Sequence, residues 1–167
     1  MIAAFKNQTE VGRFLLRAGA DPNAAEAGFT ALHAAVLRSD LELVEALLAN
    51  GADPNVLTDD NITPLMAAAG IAWASNQDRA SEEQVLEAVR LLVEENGAAI
   101  NFVSDTGEAA IHAAAYRGAN TVVQYLYDRG ANLDVVARDG RTPLTVADGV
   151  EYGNSFAAHP HTARLLR

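Results

Sequence analysis

Apolar residues recur at helical spacing in three stretches of the chain: Leu41, Val44, Leu47 and Leu48; Val85, Val89, Leu92 and Val93; and Val122, Val123, Leu126 and Tyr127. Each stripe predicts a helix with one buried face. A thinner, alanine-rich stretch precedes each: Thr30-Ala31-Leu32-His33-Ala34-Ala35, Thr63-Pro64-Leu65-Met66-Ala67-Ala68 and Ala109-Ala110-Ile111-His112-Ala113-Ala114. A fourth copy is Thr142-Pro143-Leu144-Thr145-Val146-Ala147. Thr30, Thr63 and Thr142 stand where an N-cap hydroxyl accepts a backbone N–H, and Pro64 and Pro143 follow at the first helical position, where a missing N–H is no loss. A slim first helix therefore starts at each phrase, with small side chains that let neighbours approach. Gly19, Gly51, Gly97 and Gly130 supply the left-handed residue that ends each bulkier second helix. Asp21-Pro22-Asn23 and its counterparts then turn the backbone out into a short hairpin.

The first phrase begins at residues 30, 63, 109 and 142, so successive copies lie 33, 46 and 33 residues apart; the glycines keep the same beat at 32, 46 and 33. Both phrases resemble the ankyrin repeat, with its 33-residue period and T-P-L-H-x-A opening. The resemblance spans essentially the whole sequence. It implies an all-α repeat solenoid of helix-turn-helix units joined by short β-hairpin turns, with about five repeats of which the first and last are truncated. Such a unit cannot bury its own apolar face, so stability comes from stacking on its neighbours. The repeats read as 1–24 (partial), 25–57, 58–103 with an insertion at 70–82, 104–136, and 137–167 (partial) with an insertion at 150–160.

The third repeat's 13 extra residues are expected between its two helices, around Gly70 to Ala80, with Ser81 and Gln84 forming a capping box that restarts a helix running to about Glu95. An excess of about seven residues near Val150 to His161 occupies the same place in the fifth repeat. The two loops should therefore rise on either side of Tyr116 and Arg117. Met1 to Ala4 align with Met66 to Ala69, and Ala163 to Arg167 with Val89 to Val93, so the sequence reads as a fragment of a longer repeat protein. Ile2, Phe5, Leu165 and Leu166 at those ends would allow end-to-end contacts between otherwise monomeric molecules.

Of 167 residues, 50% are hydrophobic, which suits a folded domain, and 22 acidic against 12 basic residues leave a formal charge of −10. That charge repels phosphate backbones and favours neutral or basic partners over nucleic acid. All cations except Lys6 are Arg, a bias that, with the alanine-rich phrases, resembles bacterial repeat proteins from GC-rich genomes. The absence of Cys excludes disulfides and thiolate metal sites. No apolar run is long enough to span a membrane and no signal peptide opens the sequence, leaving the compartment, cytoplasmic or periplasmic, open.

The resemblance implies that partners are contacted at the hairpin tips, here Glu26, Ala27, Phe29, Asp59, Asp60, Ile62, Asp105, Thr106, Glu108, Arg138, Asp139 and Arg141. It implies the same for the ends of first helices, here Leu37, Arg38, Ile71, Tyr116 and Arg117. Phe29, Ile62 and Tyr116 read as an apolar line inside an acidic border of Glu26, Asp59, Asp60, Asp105 and Glu108, suited to a peptide with apolar anchors beside Lys or Arg. In the insertions, Trp73, Tyr152 and Phe156 are candidate aromatic anchors or simple helix covers. The resemblance makes His33 and His112 structural, bonding backbone between neighbouring repeats. His159-Pro160-His161 lacks the further ligands of a metal site, Ser155 near His159 lacks a triad's third member, and Gly149 and Gly153 lack the strand and basic residue of a phosphate loop. The expected function is therefore non-catalytic binding of a protein or peptide through the concave face, lined by the tips and the inner face of each first helix, and through the helix-helix insertion loops, without cofactor or metal. The alternatives are a structural spacer or internal domain of a larger protein with no partner of its own and, further off, an enzyme or metal protein built on the His-Pro-His loop.

Overall fold

The computed structural model describes residues 9–26, 28–70, 80–152 and 155–167. Its elements alternate as the two phrases require. Outer helices are α1 (Thr9–Arg17), α3 (Leu41–Ala49), α5 (Glu82–Arg90), α7 (Asn120–Asp128) and α9 (Pro160–Leu165). Inner helices are α2 (Ala31–Leu37), α4 (Pro64–Ala69), α6 (Ala110–Arg117) and α8 (Pro143–Asp148). Strands β1 (Ala25–Glu26) and β2 (Phe29–Thr30) pair antiparallel at the first tip, as do β3 (Val150–Tyr152) and β4 (Ser155–Ala157) in the fifth repeat. Each inner helix packs on the next inner helix, and each outer helix on the next outer one, so the core is one continuous seam between two helical layers. Leu32, Leu43, Leu47, Leu65, Leu92, Ile111 and Leu126 fill that seam with side chains at most 2% exposed.

The fourth residue of each opening phrase does one local job in three chemistries. The backbone N–H of Thr30 reaches His33 Nδ1 at 3.3 Å, that of Thr63 the Met66 thioether at 3.5 Å, that of Ala109 His112 Nδ1 at 3.2 Å, and that of Thr142 Thr145 Oγ1 at 2.8 Å. Ala109 therefore starts a helix without an N-cap hydroxyl. The imidazoles also reach across to the neighbouring repeat. With Nδ1 accepting, Nε2 carries the proton and donates to the next tip: His33 to the Ile62 carbonyl at 3.1 Å, and His112 to the Arg141 carbonyl at 3.3 Å. Both rings are buried, and burial lowers both below the ordinary histidine value, which keeps them neutral.

A second ladder runs along the glycine turns. Asn23 donates to the Gly51 carbonyl at 2.9 Å and accepts from the Asp53 N–H at 2.8 Å; Asn101 does the same with Gly130 and Asn132 at 2.9 and 2.8 Å. Asn55 bridges to the Gly97 carbonyl at 3.4 Å and the Ala99 N–H at 2.8 Å. A repeated turn residue is thus also the clamp between neighbours.

The extra length of the third repeat is divided. The Ser81–Gln84 capping box forms as expected. Thr30 lies 17 residues before Leu47 and Ala109 lies 17 before Leu126, whereas Thr63 lies 29 before Leu92, so 12 of the 13 additional residues separate the helices. The thirteenth follows Leu92, where the helix opens into a π-helical turn, Leu91–Glu95. The closing bond confirms this: Ala52 and Ala131 donate to Leu47 and Leu126, five residues back, but Ala98 donates to Leu92, six back. A π turn absorbs one residue without breaking the helix. The fifth repeat's insertion, expected as a loop, contains a β-hairpin with Val150 opposite Ala157 and Tyr152 opposite Ser155.

Candidate functional site

The hairpin tips form one contiguous row because each turn carries a residue in the left-handed region: Gly28, Asn61, Gly107 and Gly140 at φ of 71°, 55°, 79° and 85°. At Gly28 close approach adds to the demand, since a Cβ there would lie 2.6 Å from the backbone of Thr58 and Asp59. Further along, the Asp105 N–H donates to the Asp60 carbonyl at 3.3 Å, and the Arg138 N–H to the Thr106 carbonyl at 2.8 Å. Asn61, the one tip residue of this set with a side chain, uses it to reach Asp105 at 2.8 Å.

Along this row the expected acidic border divides. Glu26, Asp59 and Asp60 are exposed, and no cation lies within ion-pair distance of them among the described residues. Glu108, by contrast, is half-buried, accepts from Thr106 Oγ1 at 2.9 Å and pairs with Arg141 at 3.4 Å. Arg141 also binds Asp139 at 2.5 Å. Some desolvation pushes Asp139 the other way, but the N–H and guanidinium of Arg141 hold its carboxyl below the usual carboxylate range. Glu108 is therefore an internal tie between the fourth and fifth tips, which corrects its expected place in an open acidic border.

The expected apolar line is also partly spent on the fold. Phe29 is half-buried with its ring 5.0 Å from that of His33, and Ile62 and Tyr116 pack against the core while keeping part of their surface. Arg38 caps the end of α2. Arg117, half-buried on α6, lays its aliphatic stem over Gly70, where the third repeat's insertion begins. On the other side, His159 at the end of the fifth repeat's insertion donates from Nε2 to the Tyr116 carbonyl at 2.8 Å. The roots of the two insertions thus flank Tyr116 and Arg117. His159 also caps α9, and its ring lies so close to Gly118 that any Cβ there would collide with it. Tyr152 and Phe156 fall on β3 and β4, while Ala27, Ile71 and Trp73 lie outside the described residues.

The outer helical layer holds a cluster that sequence spacing did not single out. The guanidiniums of Arg90 and Arg129 sit 5.6 and 4.8 Å from the Tyr125 ring centroid, and Glu94 accepts from Arg129 and from the Tyr125 hydroxyl. The Arg129 bond, followed by that of Tyr125, holds Glu94 below the usual carboxylate range. The π turn that presents Glu94 was not visible as a separate one-residue excess. Nearby, Glu82 caps the next repeat by accepting from the Thr121 N–H and hydroxyl at 2.7 and 2.8 Å. These contacts lock adjacent outer helices together. Among the described residues no group of three or more His, Asp or Glu could hold a metal, and no helix is long and apolar enough to cross a membrane.

Comparison with known proteins agrees with the geometry. A family model described as ankyrin repeats (3 copies) matches residues 1–74 and 78–156. The human ankyrin repeat and SOCS box protein 16 is 32% identical over 167 residues, covering 99% of this chain and 34% of that protein. The E3 ubiquitin-protein ligase KEG of Arabidopsis thaliana is 37% identical over 112 residues, 66% of this chain and 6% of that protein, and a putative ankyrin repeat protein of Rickettsia bellii is 30% identical over 113 residues, 68% and 30%. The chain spans about a third or less of the length of these relatives. Stacked two-helix units, tips bonded one to the next and a match over most of the sequence together establish that this chain belongs to the ankyrin-repeat family.

Proposed function

We propose that this protein recognises a protein or peptide of neutral or basic character along its row of tips, centred on the second and third repeats. The observation that carries the reading is the set of exposed carboxylates of Glu26, Asp59 and Asp60, without ion-pair partners among the described residues, beside the half-exposed Phe29 and Ile62. A rigid surface of this kind favours a segment with Lys or Arg next to an apolar anchor, at little ordering penalty on the repeat side. Similar repeats occur in a protein named for a SOCS box and in one named as an E3 ubiquitin-protein ligase. The repeats accompany different remainders, which supports a recognition role separable from any one reaction. The test is selection of peptides from a random display library on the native protein and on an Asp59→Lys, Asp60→Lys variant of equal helicity. Enrichment of Lys- and Arg-containing peptides by the native protein alone supports the reading. Enrichment by neither favours a spacer.

A further inference from the structure

Two Asn-Gly pairs, Asn50–Gly51 and Asn96–Gly97, close outer helices in this protein. Their side chains are held alike, with Asn50 Nδ2 donating to the Ala46 carbonyl and Asn96 Nδ2 to the Leu91 carbonyl, each at 2.7 Å. Their backbones are not. The Gly51 N–H donates to the Leu48 carbonyl at 3.0 Å, as Gly19 and Gly130 donate to Leu16 and Tyr127 at 3.0 and 2.9 Å. In the third repeat the residue absorbed by the π turn stretches the closing bond of Ala98 to six residues, and among the described residues no backbone carbonyl accepts from the Gly97 N–H. Gly97 is exposed and Asn96 half-buried, so solvent reaches the pair.

We propose that Asn96 is a site of spontaneous deamidation in the folded protein and that Asn50 is protected. The Gly97 amide gives its proton to solvent base, and its nitrogen bonds to Asn96 Cγ; the Cγ–Nδ2 bond of Asn96 breaks and ammonia leaves, closing a succinimide. Water then opens the imide at either carbonyl to give aspartate or isoaspartate, so the net change is one water consumed and one ammonia released. A hydrogen bond on the glycine N–H opposes the first step, because it must be broken before the proton leaves. The modified residue loses the amide bond to Leu91 and places a carboxylate at a helix C-terminus, an unfavourable position. Isoaspartate also adds one backbone atom beside the Gly97 carbonyl, which Asn55 uses to clamp the second repeat to the third. The site therefore couples the age of the molecule to the fit between those repeats.

The test ages the native protein in mildly alkaline buffer, with and without urea, and follows both Asn-Gly peptides by mass spectrometry, scoring isoaspartate by enzymatic methylation. The folded protein is expected to modify Asn96 about fivefold faster than Asn50, the factor that one ordinary hydrogen bond supplies; in urea the two rates converge. Equal rates in the folded protein, a faster Asn50, or a difference that persists in urea would overturn the proposal. Amide hydrogen exchange gives a second reading on unmodified protein: Gly97 exchanges faster than Gly51, and an equally protected Gly97 contradicts the mechanism.

Discussion

The tips of the second and third repeats and those of the fourth and fifth are built to the same plan and treat their acidic residues differently. In both regions an imidazole from the preceding inner helix donates to a tip carbonyl, His33 to Ile62 and His112 to Arg141. In the first region Glu26, Asp59 and Asp60 face solvent without ion-pair partners among the described residues, whereas in the second Arg141 gathers Glu108 and Asp139. The backbone of a tip is thus fixed by the seam beneath it, which frees the charged side chains to take either role. Carboxylates without ion-pair partners among the described residues add nothing to the stack and repel each other, which is the basis of the proposal that they serve a partner.

The largest effect tests the shared part of the plan. Replacing His33 or His112 with Ala leaves a cavity and an unsatisfied tip carbonyl, and each is expected to lower stability by about 2–3 kcal/mol in urea titrations. Losses of similar size would show that the two tips are held alike; a negligible loss at His33 would break the comparison. A smaller effect follows from pH. Burial lowers both rings below 6.5, so the unfolded state takes up protons that the folded state refuses, and stability present above that value falls as pH drops below it. The denaturation midpoint between pH 7 and 5 should slope less in the doubly substituted variant, and an unchanged slope would assign the dependence to other groups. Smaller again is Glu108→Gln, which removes a partly exposed ion pair and is expected to lower stability by less than about 1 kcal/mol. Asp59→Asn, which breaks no ion pair, should leave stability unchanged or slightly raised; a loss equal to that of Glu108→Gln would erase the distinction between the two regions.

Most of the fold was legible because local rules repeat in phase. Thr30, Thr63 and Thr142 cap, Pro64 and Pro143 start and the glycines stop helices through interactions within a few residues, and such contacts are written in adjacent letters. The Asn23, Asn55 and Asn101 clamps were visible as repeated turn residues, but their partners lie a whole repeat away, and nothing local shows that a side chain reaches across. The π turn was hidden for a related reason: one added residue in a run such as Leu91-Leu92-Val93-Glu94-Glu95 leaves the helical pattern nearly unchanged. Of the site, the tip positions followed from the resemblance, while the pairing of Glu108 and Asp139 with Arg141 did not, because acidic letters look alike until their neighbours are placed.

The central proposal is that the exposed tip carboxylates of Glu26, Asp59 and Asp60 carry recognition. It is tested most directly by measuring the affinity of a selected Lys- or Arg-containing peptide for the native protein, for a Glu26→Gln, Asp59→Asn, Asp60→Asn variant, and for a Glu108→Gln, Asp139→Asn variant, at low and high salt. The account predicts that the first variant loses about tenfold or more in affinity together with most of the salt dependence, while the second keeps both within about twofold. Equal losses in the two variants, or undiminished binding to the first, would contradict it.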